Sequence, residues 1–169
     1  GWGTDALRMI RYADAVRFDR LAERGRNEPL RVTAETDDGD ELEVFLKPSA
    51  RPEVGIEGMA NELFAACVAG HLQLPICEPV AVRMSPEWVA SVQNEPLRHL
   101  LGRSCPVAFG SVAAGTGWRA WTDEDRLLGD RRPAALGIFA FDAFIENRDR
   151  IVSNPNLLIR GDGFRIIDH

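Results

Sequence analysis

The sequence predicts an α+β fold built from two small lobes, and three observations lead to this prediction. Residues 30–46 form two alternating runs around a tight turn, residues 56–72 have apolar side chains at helical spacing, and an apolar helix near the C-terminus is followed by a second hairpin. We therefore expect a small antiparallel sheet with one helix in residues 1–85, and a mainly helical second lobe in residues 86–169. A chain of 169 residues with 45% hydrophobic content can bury a core of this size.

The first lobe begins with a predicted β-hairpin. The runs LRVTAET and ELEVFL flank the turn DDGD, and an Asp-Gly pair between alternating runs is a strong hairpin signal. Lys47 follows the second run directly. The pattern therefore places Lys47 at the end of a strand.

A helix of about four turns is predicted after the loop PSARPEVG. Glu62 lies beside the apolar stripe of this helix, where it either faces a neighbouring strand or remains a solvated carboxylate. The segment EPVAVRM then predicts a short strand, and Pro86 suits the first turn of a following helix, so we place the lobe boundary near Ser85. The apolar stripe consists of Met59, Leu63, Ala66, Cys67 and Gly70.

The second lobe is Gly-rich and irregular up to about Trp121, and its clearest element is a helix over RPAALGIFAFDAFIEN. Pro133 suits a first-turn position, and apolar side chains on all sides of this helix predict burial nearly all round. The segments NLLI and FRIID, joined by RGDG, predict a second hairpin. Asn154 precedes the first of these strands, and Asp168 ends the second.

Composition excludes several classes of protein. The net charge of −6 is spread along the chain, which argues against a nucleic-acid or anionic-membrane partner. No apolar run reaches the roughly 18 residues of a membrane span, and the first residues do not have the pattern of a signal peptide. The three cysteines show no C-x-x-C spacing and the three histidines no ligand pattern, which favours reduced thiols and argues against a zinc site. We therefore expect a soluble, cytoplasmic protein.

Lysine usage singles out one position. Lys47 is the only lysine among 20 basic residues. An arginine cannot replace the compact ammonium of lysine where a point charge must fit, so Lys47 is a candidate functional residue. The alternative is that one lysine remains by chance at the end of a strand.

A polar series near the C-terminus is the second candidate. The apolar helix leads to Asp149 in a loop, and the following hairpin brings Asp168 back toward the same end. Together with Asn154 these residues supply the carboxylate and amide oxygens that Mg²⁺ prefers. Spacing alone is weak evidence, because Asp142 and Asn147 are also five residues apart. The alternative is that the series only shapes turns.

These residues carry a resemblance to protein kinases. The segment NRDRIVSN is similar to the kinase catalytic loop H-R-D-x-x-x-x-N, and IIDH takes the place of D-F-G. More specifically, the chain from about Arg11 onward resembles the HipA-like kinase family of bacteria. The segments VFLKPS, ANELFAACVAGHLQLP, FDAFIENRDRIVSNPNLL and IIDH carry that resemblance.

The resemblance implies a protein-kinase-like two-lobe fold, in which the C-lobe is incomplete and carries the catalytic loop and the hairpin. It implies that Lys47 contacts the ATP phosphates and is held by Glu62. Asp149 would orient a substrate hydroxyl and accept its proton, while Asn154 and Asp168 would bind Mg²⁺.

Two further expectations concern the loops and the ends. The segment ERGRNEPL takes the place of a glycine-rich phosphate loop, and Arg26 within it is a candidate phosphate contact through a short backbone nest. Asn156 is expected to be a turn or strand-start residue rather than a ligand. Because the sequence stops one residue after Asp168, we also expect it to be a fragment of a longer kinase.

The predicted function is ATP- and Mg²⁺-dependent phosphoryl transfer to a hydroxyl group, that of a protein Ser or Thr in the first instance. Three alternatives remain open. One is an inactive nucleotide-binding or interaction module, another is a small-molecule kinase on the same fold, and the last is a structural domain whose polar residues only form turns.

Overall fold

A computed structural model describes residues 10–21, 30–52, 54–127, 129–151 and 153–167. These residues form a mixed α+β structure, as the sequence predicts. The strands are β1 (Arg11–Leu21), β2 (Leu30–Thr36), β3 (Glu41–Lys47), β4 (Pro79–Arg83), β5 (Val107–Val112), β6 (Arg119–Ala120), β7 (Leu157–Arg160) and β8 (Gly163–Ile166). The helices are α1 (Gly55–His71), α2 (Pro86–Ser91), α3 (Glu95–Arg103) and α4 (Arg131–Phe144).

The described residues divide into two compact units. The barrel unit comprises those within Arg8–Leu63 and Glu78–Ala113, and the hairpin unit those within Phe64–Cys77 and Ala114–His169. This division differs from the predicted domains 1–85 and 86–169, because α2 and α3 pack into the core of the barrel unit.

Five strands of the barrel unit close into a barrel in the order β1-β2-β3-β5-β4. The predicted hairpin is confirmed as β2 and β3, which pair from Leu30 with Leu46 to Glu35 with Glu41. The expectation of a purely antiparallel sheet is wrong, because β1 pairs with β4 in parallel and thereby closes the barrel.

Mostly aliphatic side chains fill the interior of the barrel. Gly110 on β5 is required there, since a Cβ atom at this position would lie 2.7 Å from Val82 Cγ2. Ser85 accepts a hydrogen bond from the Trp88 amide and so caps α2, which begins with Pro86 as predicted. Helices α2 and α3 add Trp88, Val92, Leu97 and Leu101 to a core that also contains Ala13, Ala15, Leu30, Val32, Ala34, Val44, Leu46, Val80, Val82, Met84 and Ala108.

The hairpin unit contains the antiparallel sheet β6-β7-β8 and helix α4. The second predicted hairpin is confirmed as β7 and β8. The expectation that α4 is buried nearly all round is wrong, because only Ile138 and Phe141 are buried while Leu136, Phe139 and Phe144 are 68%, 73% and 75% exposed. The helix packs through one face on a core that includes Ala65, Ala69, Ile76, Ile159, Phe164 and Ile166.

None of the helices in the described residues has the length and apolar character needed to cross a membrane.

Candidate functional site

The first candidate site is an ion pair in the barrel unit. Lys47 Nζ at the end of β3 lies 2.7 Å from Glu62 Oε1 on α1. The two side chains are 22% and 17% exposed, so the pair is largely shielded from water. Glu62 is therefore not a solvated helix carboxylate, and the only lysine of the chain is paired with it.

The backbone on both sides of Lys47 fixes its position. On the strand side, Lys47 is paired in register with Phe109 of β5. On the loop side, Pro48 and Ser49 are buried, and Ser49 Oγ accepts a hydrogen bond of 2.8 Å from the amide of Cys105. Because side chains alternate along a strand, Lys47 points away from the interior that its neighbour Leu46 fills.

The second candidate site is the loop between α4 and β7 in the hairpin unit. The loop brings Asp149 and Asn154 together, since Asn154 Nδ2 donates to the carbonyl oxygen of Asp149 at 3.3 Å. A tight turn between them is closed by Ile151 and Asn154, whose backbone groups exchange hydrogen bonds of 3.2 and 2.9 Å. Both Asp149 and Asn154 are exposed, so their polar atoms face solvent where a ligand can approach.

A buried arginine supports this loop from inside. Arg150 Nε lies 2.6 Å from Asp142 Oδ2, and the two side chains are only 8% and 13% exposed. Arg150 Nη1 also donates to the carbonyl oxygens of Pro155 and Asn156, at 3.0 and 2.8 Å. Asn156 has a φ of 47°, which fits the predicted turn role. Sequence reasoning did not assign a role to Asp142 or Arg150.

Asn147 links the Asp142 carboxylate to the backbone amide of Asp149. Asn147 Nδ2 donates to Asp142 Oδ1 at 3.1 Å, and Asn147 Oδ1 accepts from the amide of Asp149 at the same distance. The spacing of Asp142 and Asn147, which by itself is a chance-level signal, therefore corresponds to a contact. One sequence signal was available: a single carboxylate within the apolar run FAFDAF requires a partner once it is buried.

Two predicted site residues, Arg26 and Asp168, lie outside the described residues, and their roles stay predictions. Within the described part of the chain, no group of three or more His, Cys, Asp or Glu side chains converges as a metal site. The loop is nevertheless compatible with binding Mg²⁺. Asn154 contacts Asp149 through its amide nitrogen, so this contact does not use the amide oxygen that a metal ion would need. A Mg²⁺ ion usually takes only one or two protein carboxylates and completes its shell with water and phosphate.

Comparison with known proteins identifies the family. A family model described as HipA-like kinase matches residues 20–169, which is most of the chain. The chain therefore belongs to the HipA-like kinase family, and the resemblance carried by its sequence motifs is confirmed. No curated protein and no solved structure gives a significant match.

Proposed function

We propose that this HipA-like kinase transfers the γ-phosphoryl group of ATP to a hydroxyl group, that of a protein Ser or Thr in the first instance, in the cytoplasm. The observation that carries the proposal is the shielded ion pair between Lys47 and Glu62. Such a pair is one of the parts that kinases use to hold the ATP phosphates.

In this proposal Lys47 is the positive charge that contacts the phosphates, and Glu62 holds its ammonium group in place. The carboxylate keeps the ammonium in one orientation at the end of β3, since Nζ and Oε1 are 2.7 Å apart. An ammonium held in advance does not have to reorganise when negative charge accumulates on the transferred group. Arg26 is proposed as an additional phosphate contact.

Asp149 is proposed as the residue that orients the acceptor hydroxyl. As the new bond between the acceptor oxygen and the γ-phosphorus forms, the bond from that phosphorus to the ADP oxygen breaks, and Asp149 accepts the hydroxyl proton. Asn154 and Asp168 are proposed to hold Mg²⁺, which neutralises charge on the phosphates when it is bound. The exposure of Asp149 supports this role, because a substrate must reach the carboxylate.

The proposal is tested by ATP binding and turnover in the whole protein. We expect ATP with Mg²⁺ to raise the melting temperature, because a ligand that binds only the folded state stabilises it. Asp149→Asn is expected to retain this shift and to lose at least about 100-fold in the rate of transfer from radiolabelled ATP. Asp162→Asn, which alters an exposed carboxylate in the β7–β8 turn of the same unit, is the matched control and is expected to keep its rate.

Two results contradict the proposal, and a third changes the acceptor that it names. Unchanged transfer by Asp149→Asn rules out the role given to that carboxylate. ATP binding with no turnover by the unaltered protein, over a panel of protein and small-molecule acceptors, identifies an inactive nucleotide-binding module instead. Turnover with small molecules alone moves the acceptor class from protein to metabolite.

A further inference from the structure

Arg150 directly follows the proposed catalytic Asp149, and its side chain is nevertheless largely buried. Its side chain is 8% exposed, whereas Asp149 and Asn154 on the same loop are exposed. An arginine in this position has to satisfy its donors within the protein.

The contacts of Arg150 reach three residues in two parts of the chain. Its Nε donates to Asp142 on α4 at 2.6 Å, and its Nη1 donates to the carbonyl oxygens of Pro155 and Asn156 at 3.0 and 2.8 Å. The planar guanidinium directs these donors into fixed directions, which the single ammonium of a lysine cannot reproduce.

These contacts enclose the functional part of the loop. Arg150 stands next to Asp149 at one end, and the two carbonyl groups that it binds come directly after Asn154 at the other end. The arginine therefore closes a ring that contains Asn154, and Asp142 anchors this ring to a helix. Asn147 adds a second connection from Asp142 to the amide of Asp149.

We propose that Arg150, held by Asp142, is a positioning residue for phosphoryl transfer and sets the geometry between the Asp149 carboxylate and the Asn154 amide oxygen. The inference rests on the proposed kinase function and goes beyond it, since Arg150 and Asp142 are not among the residues proposed to contact ATP, Mg²⁺ or the acceptor. A buried ion pair is weak evidence for stability by itself, because desolvation offsets its attraction. A reaction that relies on positioning is sensitive to small displacements: a 1 Å misplacement costs about 100-fold in rate.

The test compares Arg150→Lys with Arg131→Lys in the whole protein. Arg131 is a matched control in the same unit, since it also lies near a carboxylate and donates to a turn carbonyl, that of Gly161 at 2.6 Å. ATP hydrolysis is the activity readout, with kcat, the KM for ATP and the Mg²⁺ concentration for half-maximal rate measured for each variant. Melting temperature and circular dichroism report whether each variant is folded.

We expect Arg150→Lys to lower kcat by about 10- to 100-fold and to raise the half-maximal Mg²⁺ concentration, with the KM for ATP changed less than about twofold. Arg131→Lys is expected to leave all three kinetic values near those of the unaltered protein. If Arg150 had only a structural role, Arg150→Lys would lower the melting temperature. It would not selectively change kcat and the half-maximal Mg²⁺ concentration while leaving the KM for ATP nearly unchanged.

The inference is overturned if folded Arg150→Lys keeps both its kcat and its Mg²⁺ requirement. If Arg150→Lys does not fold, the same readouts on Asp142→Asn decide the question, because this variant keeps the side-chain volume but removes the negative charge and one of the two oxygens that accept from Arg150 and Asn147. An unaltered protein that neither binds ATP nor hydrolyses it refutes the proposed function itself, and that result is distinct from the other two.

Discussion

The barrel unit and the hairpin unit position their polar residues in different ways. In the barrel unit, Lys47 and Glu62 stand on a strand and a helix and bind each other directly. In the hairpin unit, Asp149 and Asn154 stand on a loop that Arg150 binds at the carbonyl groups of Pro155 and Asn156, and Arg150 is itself paired with Asp142. The first site is fixed by regular secondary structure, and the second by hydrogen bonds from side chains to each other and to the backbone.

The two units also differ in how completely their hydrophobic side chains are buried. The barrel is closed and filled with aliphatic side chains, whereas α4 of the hairpin unit buries only Ile138 and Phe141 and exposes Leu136, Phe139 and Phe144. A loop that starts from a helix packed on one side receives less support from its scaffold. The loop therefore needs its own anchor, which the Asp142–Arg150 pair supplies.

The largest expected effect on turnover and stability is that of Lys47→Met in the barrel unit. Loss of the ammonium should lower kcat/KM for ATP turnover at least about 100-fold, because it removes the preorganised charge that Glu62 holds for the phosphates in this proposal. Stability should also fall by about 2 kcal/mol, less than the roughly 3–5 kcal/mol for fully buried pairs, because both side chains keep some contact with water. Steady-state kinetics and urea unfolding measure the two effects.

The control for Lys47 is Arg31→Met, which removes the cation of another ion pair in the barrel, the cross-strand contact with Glu43. Its turnover is expected to stay within about threefold of the unaltered protein, since this pair has no role in the proposed chemistry. Equal kinetic losses in both variants would mean that any disturbance of the barrel impairs turnover. The specific role proposed for Lys47 would then be contradicted.

Glycine substitutions test the difference in packing. Gly110→Ala in the barrel should destabilise the protein by about 1–3 kcal/mol, because the new Cβ would meet Val82 Cγ2 at 2.7 Å and Val44 Cγ1 at 3.2 Å. Gly137→Ala in α4 should be neutral or stabilising by up to about 1 kcal/mol, because its Cβ meets only the end of the Leu74 side chain, at 3.1 Å, and alanine favours a helix. Urea unfolding of both variants gives the values, and equal losses would contradict the difference in packing.

The smallest expected effects are those of pH. In the hairpin unit, hydrogen bonds from Arg119 and from the Thr122 amide hold the pKa of Asp125 well below its usual range. In the barrel unit, Arg83 lowers the pKa of Asp14. Because both folded-state pKa values are depressed, each carboxylate stabilises the fold above the usual aspartate pKa of about 3.9, and this contribution is lost as the pH falls below it.

We expect Asp125→Asn to flatten the acid limb of the stability profile more than Asp14→Asn. Unfolding followed between pH 7 and pH 2 at the indole signals of Trp88 in the barrel unit and Trp121 in the hairpin unit measures each contribution. A profile that either substitution leaves unchanged would show that its ion pair does not contribute to acid stability.

Much of the fold could be predicted where the local sequence decides the structure. The hairpin β2–β3 follows from its Asp-Gly turn, and α1 from its apolar spacing. Strand β5 was missed because Gly110 makes the segment VAFGSV look irregular, and only the crowded barrel interior explains that glycine. Helix α3 carried a readable signal in Asn94, whose side chain caps it.

The candidate sites divide in a similar way. Lys47 was singled out by its rarity and Glu62 by the resemblance, whereas Asp149 and Asn154 were singled out by a motif. The support of the loop by Arg150 was not predicted, because two of its contacts are to backbone carbonyl groups, which leave no trace in residue identity. The exposed face of α4 was also unpredictable, since composition records that a helix is apolar but not which neighbours cover it.

The parallel pairing of β1 with β4 has a consequence for how the chain folds. Arg11 pairs with Val80, so the two strands are about 70 residues apart in sequence. During synthesis, β1 leaves the ribosome long before its parallel partner exists, while β2 and β3 can already form their local hairpin. Barrel closure is therefore a late, non-local event, and until it occurs the first strand is an unprotected edge that other nascent chains or chaperones can bind.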